Sequence, residues 1–434
     1  MIKILTLFLG LSVGIQPVEL EVPDIHAPGS DVLTKVASVE VLLDGATVQV
    51  IKGPPWSFDL DLGPQLLPHR LTVIGRDSDG QELSRDHRWI NLDRFGFDPK
   101  PDHCESPCRV TSVAVEVDGG PPPAEAMEGW FTANGEPLRV LAVDRGPAEL
   151  VVVRDPAVQD WLVIVSKIFL QVEAGVRLPP ELSGAIVHLD RDAFNARVSH
   201  YFRDTQSRHR LEMAWESWQR FLRFEPETTV RFVSPVAAPA SAVEKRKQIF
   251  NVTRPLDAEV DGMLYHLARI RPLEFALRIS DAVALAGLEA HGGRGRRAVL
   301  LLLTDVASGR SRYRPQEVRR YLEALGVPLY VWSFEQPFPE WDSTQIIDYR
   351  NQTATISPAK SKNFMRRFGN GFDQINRGLD RQRVVWLEGE HLPQDIQLSP
   401  KARGIRLAGS EKAGKMAEEK VTGAIAEAEG SHDG

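Results

Sequence analysis

Two aspartates in this chain each follow an apolar run that is typical of a buried strand. Asp155 comes just after Glu149–Val153, and Asp305 comes after Ala298–Leu303 and a threonine. In parallel sheets, ligands bind outside the carboxyl ends of the strands, which is where both carboxylates are expected. Such carboxylates could hold a hard cation, act as a nucleophile, or contact a partner molecule.

The nucleophilic alternative needs more than one aspartate. A phosphatase of the haloacid dehalogenase type uses a second acid, two residues after the nucleophile, to protonate the leaving group. Position 157 is alanine, so Asp155 lacks that acid. The sequence also contains neither Gly-x-Ser-x-Gly nor His-Glu-x-x-His. An unrecognised hydrolase acting at the same crevice remains the enzymatic alternative.

Polar and basic residues follow the second aspartate closely. We expect them to line the same crevice, where the arginines can pair with an acidic partner. The predicted partner-binding set is Asp155, Asp305, Ser308, Arg310, Ser311 and Arg312.

The elements around Asp305 predict how it is positioned. Ala298–Leu303 reads as a strand buried on both faces. Residues 318, 321, 322 and 325 are apolar at the spacing of one helix face, and Gly326 can end that helix. Val327–Trp332 reads as a second strand. A strand, crossover helix and strand require a parallel pair with a right-handed connection, so we expect an α/β fold with a doubly wound, mostly parallel sheet.

This unit resembles the second half of a von Willebrand factor A domain. The resemblance covers roughly residues 275–335 and depends on the apolar run ending in Thr304-Asp305 and on "GVPLYVW" at 326–332. It is most marked toward A-domain-related secreted proteins of environmental bacteria. The family often holds Mg²⁺ through Asp-x-Ser-x-Ser after the first strand, a threonine from a later loop, and an aspartate after the fourth strand.

The chain departs from that metal site at its hydroxyl positions. Asp155 and Asp305 match the family's aspartates, but Ala157 and Gln159 stand where serines are expected, and Leu277 aligns with the threonine. Arg154 adds a competing positive charge beside Asp155. The resemblance therefore implies a degenerate adhesion site, and we expect no metal ligands and no cofactor, with weak Mg²⁺ binding as the alternative.

The rest of the chain divides by composition. Alternating short strands and turns predict an immunoglobulin-like β module at 30–94, and a linker with a second small β unit at 95–144. The A-like domain is expected at 145–340, with a helix and strand extension at 341–407. The Gly-, Ala-, Glu- and Lys-rich residues 408–434 predict a disordered tail.

The N-terminus and the two cysteines indicate the cellular compartment in which the protein is expected. Residues 1–14 resemble a secretory signal peptide, which predicts a secreted or periplasmic protein without a transmembrane segment after cleavage. The alternative is that this apolar segment is a buried first strand. Cys104 and Cys108 would then most simply form a local disulfide. Free thiols, or a metal or redox site, remain alternatives.

Charge and motifs together favour a binding role. The net charge of −7 over 434 residues argues against general nucleic-acid binding, which favours basic surfaces. We expect a non-catalytic secreted or envelope-associated protein that binds a protein or cell-envelope component through the top face of the α/β domain. The structural alternative is an envelope subunit whose β modules make the contacts.

Overall fold

A computed structural model describes most of the chain. The described residues are 3–4, 11–13, 15–21, 36–92, 109–155, 158, 167, 169–171, 173–179, 191–220, 228–235, 250, 252–257, 277–293, 295–304, 311–334, 337–345 and 358–410.

A six-stranded, mainly parallel sheet forms the centre of the α/β domain. Its strands are β12 Ala148–Arg154, β13 Thr228–Val233, β14 Leu256–Asp257, β15 Arg296–Leu303, β16 Leu329–Ser333 and β17 Thr344–Gln345. Their order is β14-β13-β12-β15-β16-β17, and only the edge strand β14 runs antiparallel to its neighbour. The two central strands, β12 and β15, are buried along their whole length, as their continuous apolar runs predict.

Helices cover both faces of this sheet. They are α1 Arg191–Tyr201, α2 Thr205–Arg220, α3 Ile279–Gly292, α4 Pro315–Ala324 and α5 Pro358–Arg381. Alternate residues of β12 point to opposite sides, so Leu150 and Val152 join one apolar cluster while Val151 and Val153 join another. The first cluster includes residues of α1, α2 and α5, and the second includes residues of α3 and α4.

The βαβ unit predicted around Asp305 is present. Strand β15 pairs in parallel with β16, and α4 connects them with Val318, Tyr321 and Leu322 buried. Gly326 follows α4 with a φ of 64°, a left-handed conformation that favours glycine at a helix end.

Two antiparallel sheets pack face to face in the N-terminal β module. The strands are β1 Lys3–Ile4, β2 Ile15–Glu21, β3 Ser38–Leu43, β4 Ala46–Ile51, β5 Ser57–Asp61, β6 His69–Arg76 and β7 Glu82–Ile90. One sheet has the order β1-β2-β5 and the other β4-β3-β6-β7. Their shared core includes Val18 and Phe58 from the first sheet and Val39 and Val73 from the second. This module therefore includes residues that precede position 30.

The second β unit is completed by the C-terminal part of the chain. Its strands are β8 Val110–Val117, β9 Phe131–Ala133, β10 Glu136–Leu138, β11 Val140–Asp144, β18 Gln382–Glu388, β19 Ile396–Leu398 and β20 Ile405–Leu407. A four-stranded sheet has the order β11-β18-β8-β20, and a three-stranded sheet has the order β10-β9-β19. The chain thus forms the first strands of this unit, continues through the α/β domain from β12 to α5, and then adds the last three strands to the unit.

The predicted tail begins inside the folded structure. Ala408, at the start of the predicted tail, is 1% exposed and donates its backbone N–H to the Ala114 carbonyl; residues 411–434 lie outside the described part. In the part of the chain that is described, no helix combines the length and the apolar character needed to cross a membrane.

Candidate functional site

Asp155 and Thr304 meet at the carboxyl ends of the parallel strands, which we call the top of the sheet. These residues directly follow β12 and β15, which pair in parallel, so their side chains meet at the same edge. The Thr304 hydroxyl donates a hydrogen bond to Asp155 Oδ2 at 2.5 Å, and Thr304 and Asp155 are 1% and 2% exposed. One carboxylate of the predicted set is therefore buried and bound to a neighbouring side chain.

A buried arginine precedes that aspartate. Arg154 is the last residue of β12 and is 1% exposed. Burial lowers the pKa of its guanidinium to about 10, although the charge of Asp155 opposes this shift. At neutral pH Arg154 stays protonated, so a positive charge lies beside the position that a cation would need.

Asp281 organises the loop before α4. It lies in the first turn of α3 and is 3% exposed. Its carboxylate accepts hydrogen bonds from Arg278 Nε at 2.6 Å, from the backbone N–H of Arg312 at 2.9 Å, and from that of Tyr313 at 3.1 Å. A nearby contact reinforces this arrangement, because the Ser280 N–H donates to Ser311 Oγ at 3.1 Å.

The same loop presents arginine side chains to solvent. Arg312 is exposed, and its guanidinium carbon lies 5.7 Å from the centre of the Tyr313 ring. Arg314 is also exposed, whereas Arg278 is partly covered and lies over the Phe250 ring. Arginine on an aromatic face retains donors that can bind a carboxylate.

The predicted partner-binding residues are only partly covered by the described chain. Asp155, Ser311 and Arg312 are described and lie at the top edge of the sheet or in the adjoining loop. Asp305, Ser308 and Arg310 lie outside the described residues, so their positions stay predictions. Cys104, Cys108, Ala157 and Gln159 also fall outside the described residues.

The described acids do not fit a cation site. Asp155 Oδ2 accepts the Thr304 hydroxyl, and the Asp281 carboxylate is bound by Arg278 and by two backbone N–H groups. Leu277, which stands at the family's threonine position, packs against the apolar core. Among the described residues no group of three or more His, Cys, Asp or Glu could hold a metal ion.

Sequence reasoning gave Asp281 no role in the site. The sequence does contain one indication: Arg278 precedes Asp281 by three residues at the start of a helix, and side chains at this spacing can form an ion pair on one helix face. The bonds to the backbone of 312–313 span about thirty residues, and only the tertiary structure reveals them.

Comparisons with known proteins give distant likenesses. No family model matches the chain, and no curated protein matches it. Solved structures similar to it include the Clostridium thermocellum CbhA fibronectin(III)-like modules, at 19% identity over 21% of this chain and 93% of that chain, with a TM-score of 0.17. Proximal thread matrix protein 1 from the mussel byssus, with a zinc-occupied MIDAS motif, is 12% identical over 59% of this chain, with a TM-score of 0.27.

A third similar structure is the human COPII-coat protein Sec24c, at 10% identity over 44% of this chain and 27% of that chain, with a TM-score of 0.20. This chain spans about half the length of the mussel protein, at 49%. All three TM-scores are low, and none of these likenesses indicates the function of this protein.

Proposed function

We propose that this chain is a non-catalytic binding protein built on a doubly wound, von Willebrand factor A-like domain. Its partner would be a protein or cell-envelope component that presents an acidic segment. The predicted signal peptide would bring the protein to the periplasm or the exterior, where such a component is accessible.

One observation carries the proposal: at the top of the sheet Asp155 and Asp281 are bound internally, while Arg312 and Arg314 face solvent. Asp155 and Asp281 are 2% and 3% exposed and are bound to neighbouring groups. Arg312, by contrast, is exposed on a loop whose backbone Asp281 fixes. Because the backbone is fixed and the guanidinium lies over the Tyr313 ring, Arg312 presents its donors to solvent from a defined position, which favours an acidic partner.

The described residues give less support to the hydrolase alternative. A catalytic acid or nucleophile must reach the substrate, yet Asp155 and Thr304 are both buried and bonded to each other. The metal-dependent adhesion alternative is weakened in the same way, because Asp155 and Asp281 already have protein donors.

The test is retention of a partner from a cell-envelope extract by the immobilised full chain. We expect Arg312→Glu to lower the amount of the retained partner at least tenfold, and EDTA to leave it unchanged. Arg139→Glu is the matched control, because Arg139 is also highly exposed but lies next to the start of β11 in the second β unit. Retention that is insensitive to Arg312→Glu, or abolished by EDTA, would contradict the proposal.

A further inference from the structure

The side chain of Asn91 forms hydrogen bonds with the main chain of Ser12. This side chain is buried and accepts the Ser12 N–H at 2.6 Å while donating to the Ser12 carbonyl at 2.7 Å. The same amide nitrogen also donates to the Leu67 carbonyl at 2.8 Å. Asn91 has a φ of 55°, and its own carbonyl accepts the Tyr321 hydroxyl of α4 at 2.7 Å. Asn91 is therefore held by the β module through its side-chain amide and by the α/β domain through its main-chain carbonyl.

A tyrosine from the loop before α4 binds the preceding residue. The Tyr313 hydroxyl donates to the Leu11 carbonyl at 2.7 Å. Burial raises the pKa of Tyr313 to about 12, so this hydroxyl remains a donor at neutral pH. Asp281 in turn fixes the Tyr313 backbone. Three main-chain groups of residues 11–12 are thus bound by side chains.

The side chains of residues 11–13 follow an apolar–small–apolar pattern. Leu11 and Val13 pack against the cluster that contains Leu66, Leu92 and part of the α/β core, and Ser12 between them is 5% exposed. The hydrogen bonds from Asn91 and Tyr313 go to main-chain atoms of residues 11–12, so these bonds do not depend on which apolar residues flank the small one. Proteins that bind an extended peptide use the same combination: hydrogen bonds to the main chain give affinity, and pockets for side chains give specificity.

We propose that the site formed by Asn91, Leu67, Tyr313 and this apolar cluster binds an extended apolar–small–apolar segment of a partner protein. Residues 11–13 occupy the site within the chain and compete with that segment. Cleavage near Gly14, where the signal peptide is predicted to end, would remove this competitor. The vacated site would expose the apolar side chains that Leu11 and Val13 now cover, which favours occupation by another apolar segment.

The experiment measures binding of a fluorescent peptide with the sequence of residues 8–16 to the full chain by anisotropy. The double variant Leu11→Asp, Val13→Asp should eject the internal segment, because two carboxylates would enter an apolar cluster. We expect saturable binding of the peptide to this variant and at least tenfold weaker binding to the unaltered chain. The same peptide carrying both aspartates should not bind.

Further variants distinguish this site from the exposed arginine surface proposed for the acidic partner. Adding Asn91→Ala to the double variant should weaken peptide binding at least tenfold. Adding Arg312→Ser should leave peptide binding unchanged, because the Arg312 guanidinium is assigned to the acidic partner and not to this peptide. Ser12→Pro is a milder way to eject the segment, since proline lacks the N–H that Asn91 accepts; it serves if the double variant does not fold.

Three results would overturn the proposal. The first is a folded, segment-ejected variant that does not bind the peptide, and the second is binding that survives Asn91→Ala. The third is a concentration-dependent dimer of the unaltered chain that Asn91→Ala dissociates, because the site would then serve exchange between copies rather than a separate partner.

Discussion

At the scale of single residues, the top of the sheet is a set of buried polar groups that bind one another. The Asp155–Thr304 and Asp281–Arg278 pairs use side chains that a ligand site would otherwise offer. Because a buried carboxylate is unfavourable without hydrogen bonds, these contacts have a structural purpose. They also explain why the exposed Arg312, rather than an acid, is the better candidate for recognising a partner.

Replacing Thr304 with valine should destabilise the protein. Valine keeps the shape but removes the hydroxyl that donates to Asp155, so the free energy of unfolding should fall by about 1–3 kcal/mol. Urea denaturation measures this change. Thr304→Ser is the control, since serine retains the hydroxyl and should show a smaller loss. Equal stability of the valine variant and the unaltered chain would mean that the bond contributes nothing.

Another buried acid, Glu149, predicts a dependence of stability on pH. Glu149 is 7% exposed; burial raises its pKa above the ordinary value of 4.5, Arg231 opposes the rise, and Glu289 adds to it. Because the pKa of Glu149 is higher in the folded than in the unfolded protein, the folded state binds more protons at pH values between the two pKa values. Stability should therefore fall as pH rises through that range, upward from about 4.5.

Glu149→Gln tests this dependence, because glutamine resembles the neutral carboxyl at every pH. Subtracting its unfolding free energies from those of the unaltered chain, from pH 4 to pH 8, should reveal the predicted fall. Glu82→Gln is the control, since its carboxylate lies on the surface with a lowered pKa. A flat difference curve for Glu149→Gln would show that burial does not raise the pKa in the folded protein.

At the scale of elements, close approach of helix and sheet determines how α5 packs. A Cβ added at Gly371 would lie 2.7 Å from Cζ2 of Trp332, which belongs to β16 and is 2% exposed. Trp332 also contacts Phe372 edge to face, with ring centres 4.9 Å apart. The glycine therefore allows α5 to lie directly against an indole ring that its neighbours hold in place.

Gly371→Ala should lower stability although alanine favours helices. Alanine gains about 1 kcal/mol over glycine in a helix, but overpacking against a rigid ring costs about 1–3 kcal/mol. We expect a net loss of roughly 1 kcal/mol, measured by urea denaturation. Asn370→Ala, at the exposed neighbouring position of α5, is the control and should be neutral or slightly stabilising. A stabilised Gly371→Ala variant would show that α5 can move away from Trp332 at little cost.

At the scale of the whole molecule, the second β unit depends on residues far apart in the chain. Strand β8 lies between β18 and β20, which come more than 250 residues later. Arg406 binds Glu116 Oε2 through Nε and Nη2, both at 2.7 Å, and thereby joins β20 to β8. The C-terminal strands are therefore part of this unit and not an appendage to the α/β domain.

Two truncations distinguish the tail from these strands. Ending the chain at Ser410 should leave the thermal midpoint unchanged, because the removed residues contain almost no large apolar side chains. Ending it at Leu398 removes β20, the Arg406–Glu116 pair and buried Ala408, so the midpoint should fall by several degrees. Equal midpoints would contradict the role assigned to β20, and a fall for the shorter deletion would mean that residues 411–434 stabilise the fold.

The sequence by itself determined the elements whose patterns are local. Continuous apolar runs predicted the strands at 149–153 and 298–303, and helical spacing together with Gly326 predicted α4. The same runs placed Asp155 and Thr304 at strand ends. Each of these conclusions needs only side-chain periodicity and the known geometry of parallel pairs.

Only the tertiary structure decided what those strand-end residues contact. The Thr304 hydroxyl reaches an acid 149 residues away, Asp281 fixes a loop about thirty residues later, and Asn91 binds Ser12 across 79 residues. No local pattern encodes such pairs, because each depends on how separate strands and helices are packed together. For the same physical reason, the sequence predicted a helix and a strand within residues 341–407 but could not assign that strand to the sheet of β8.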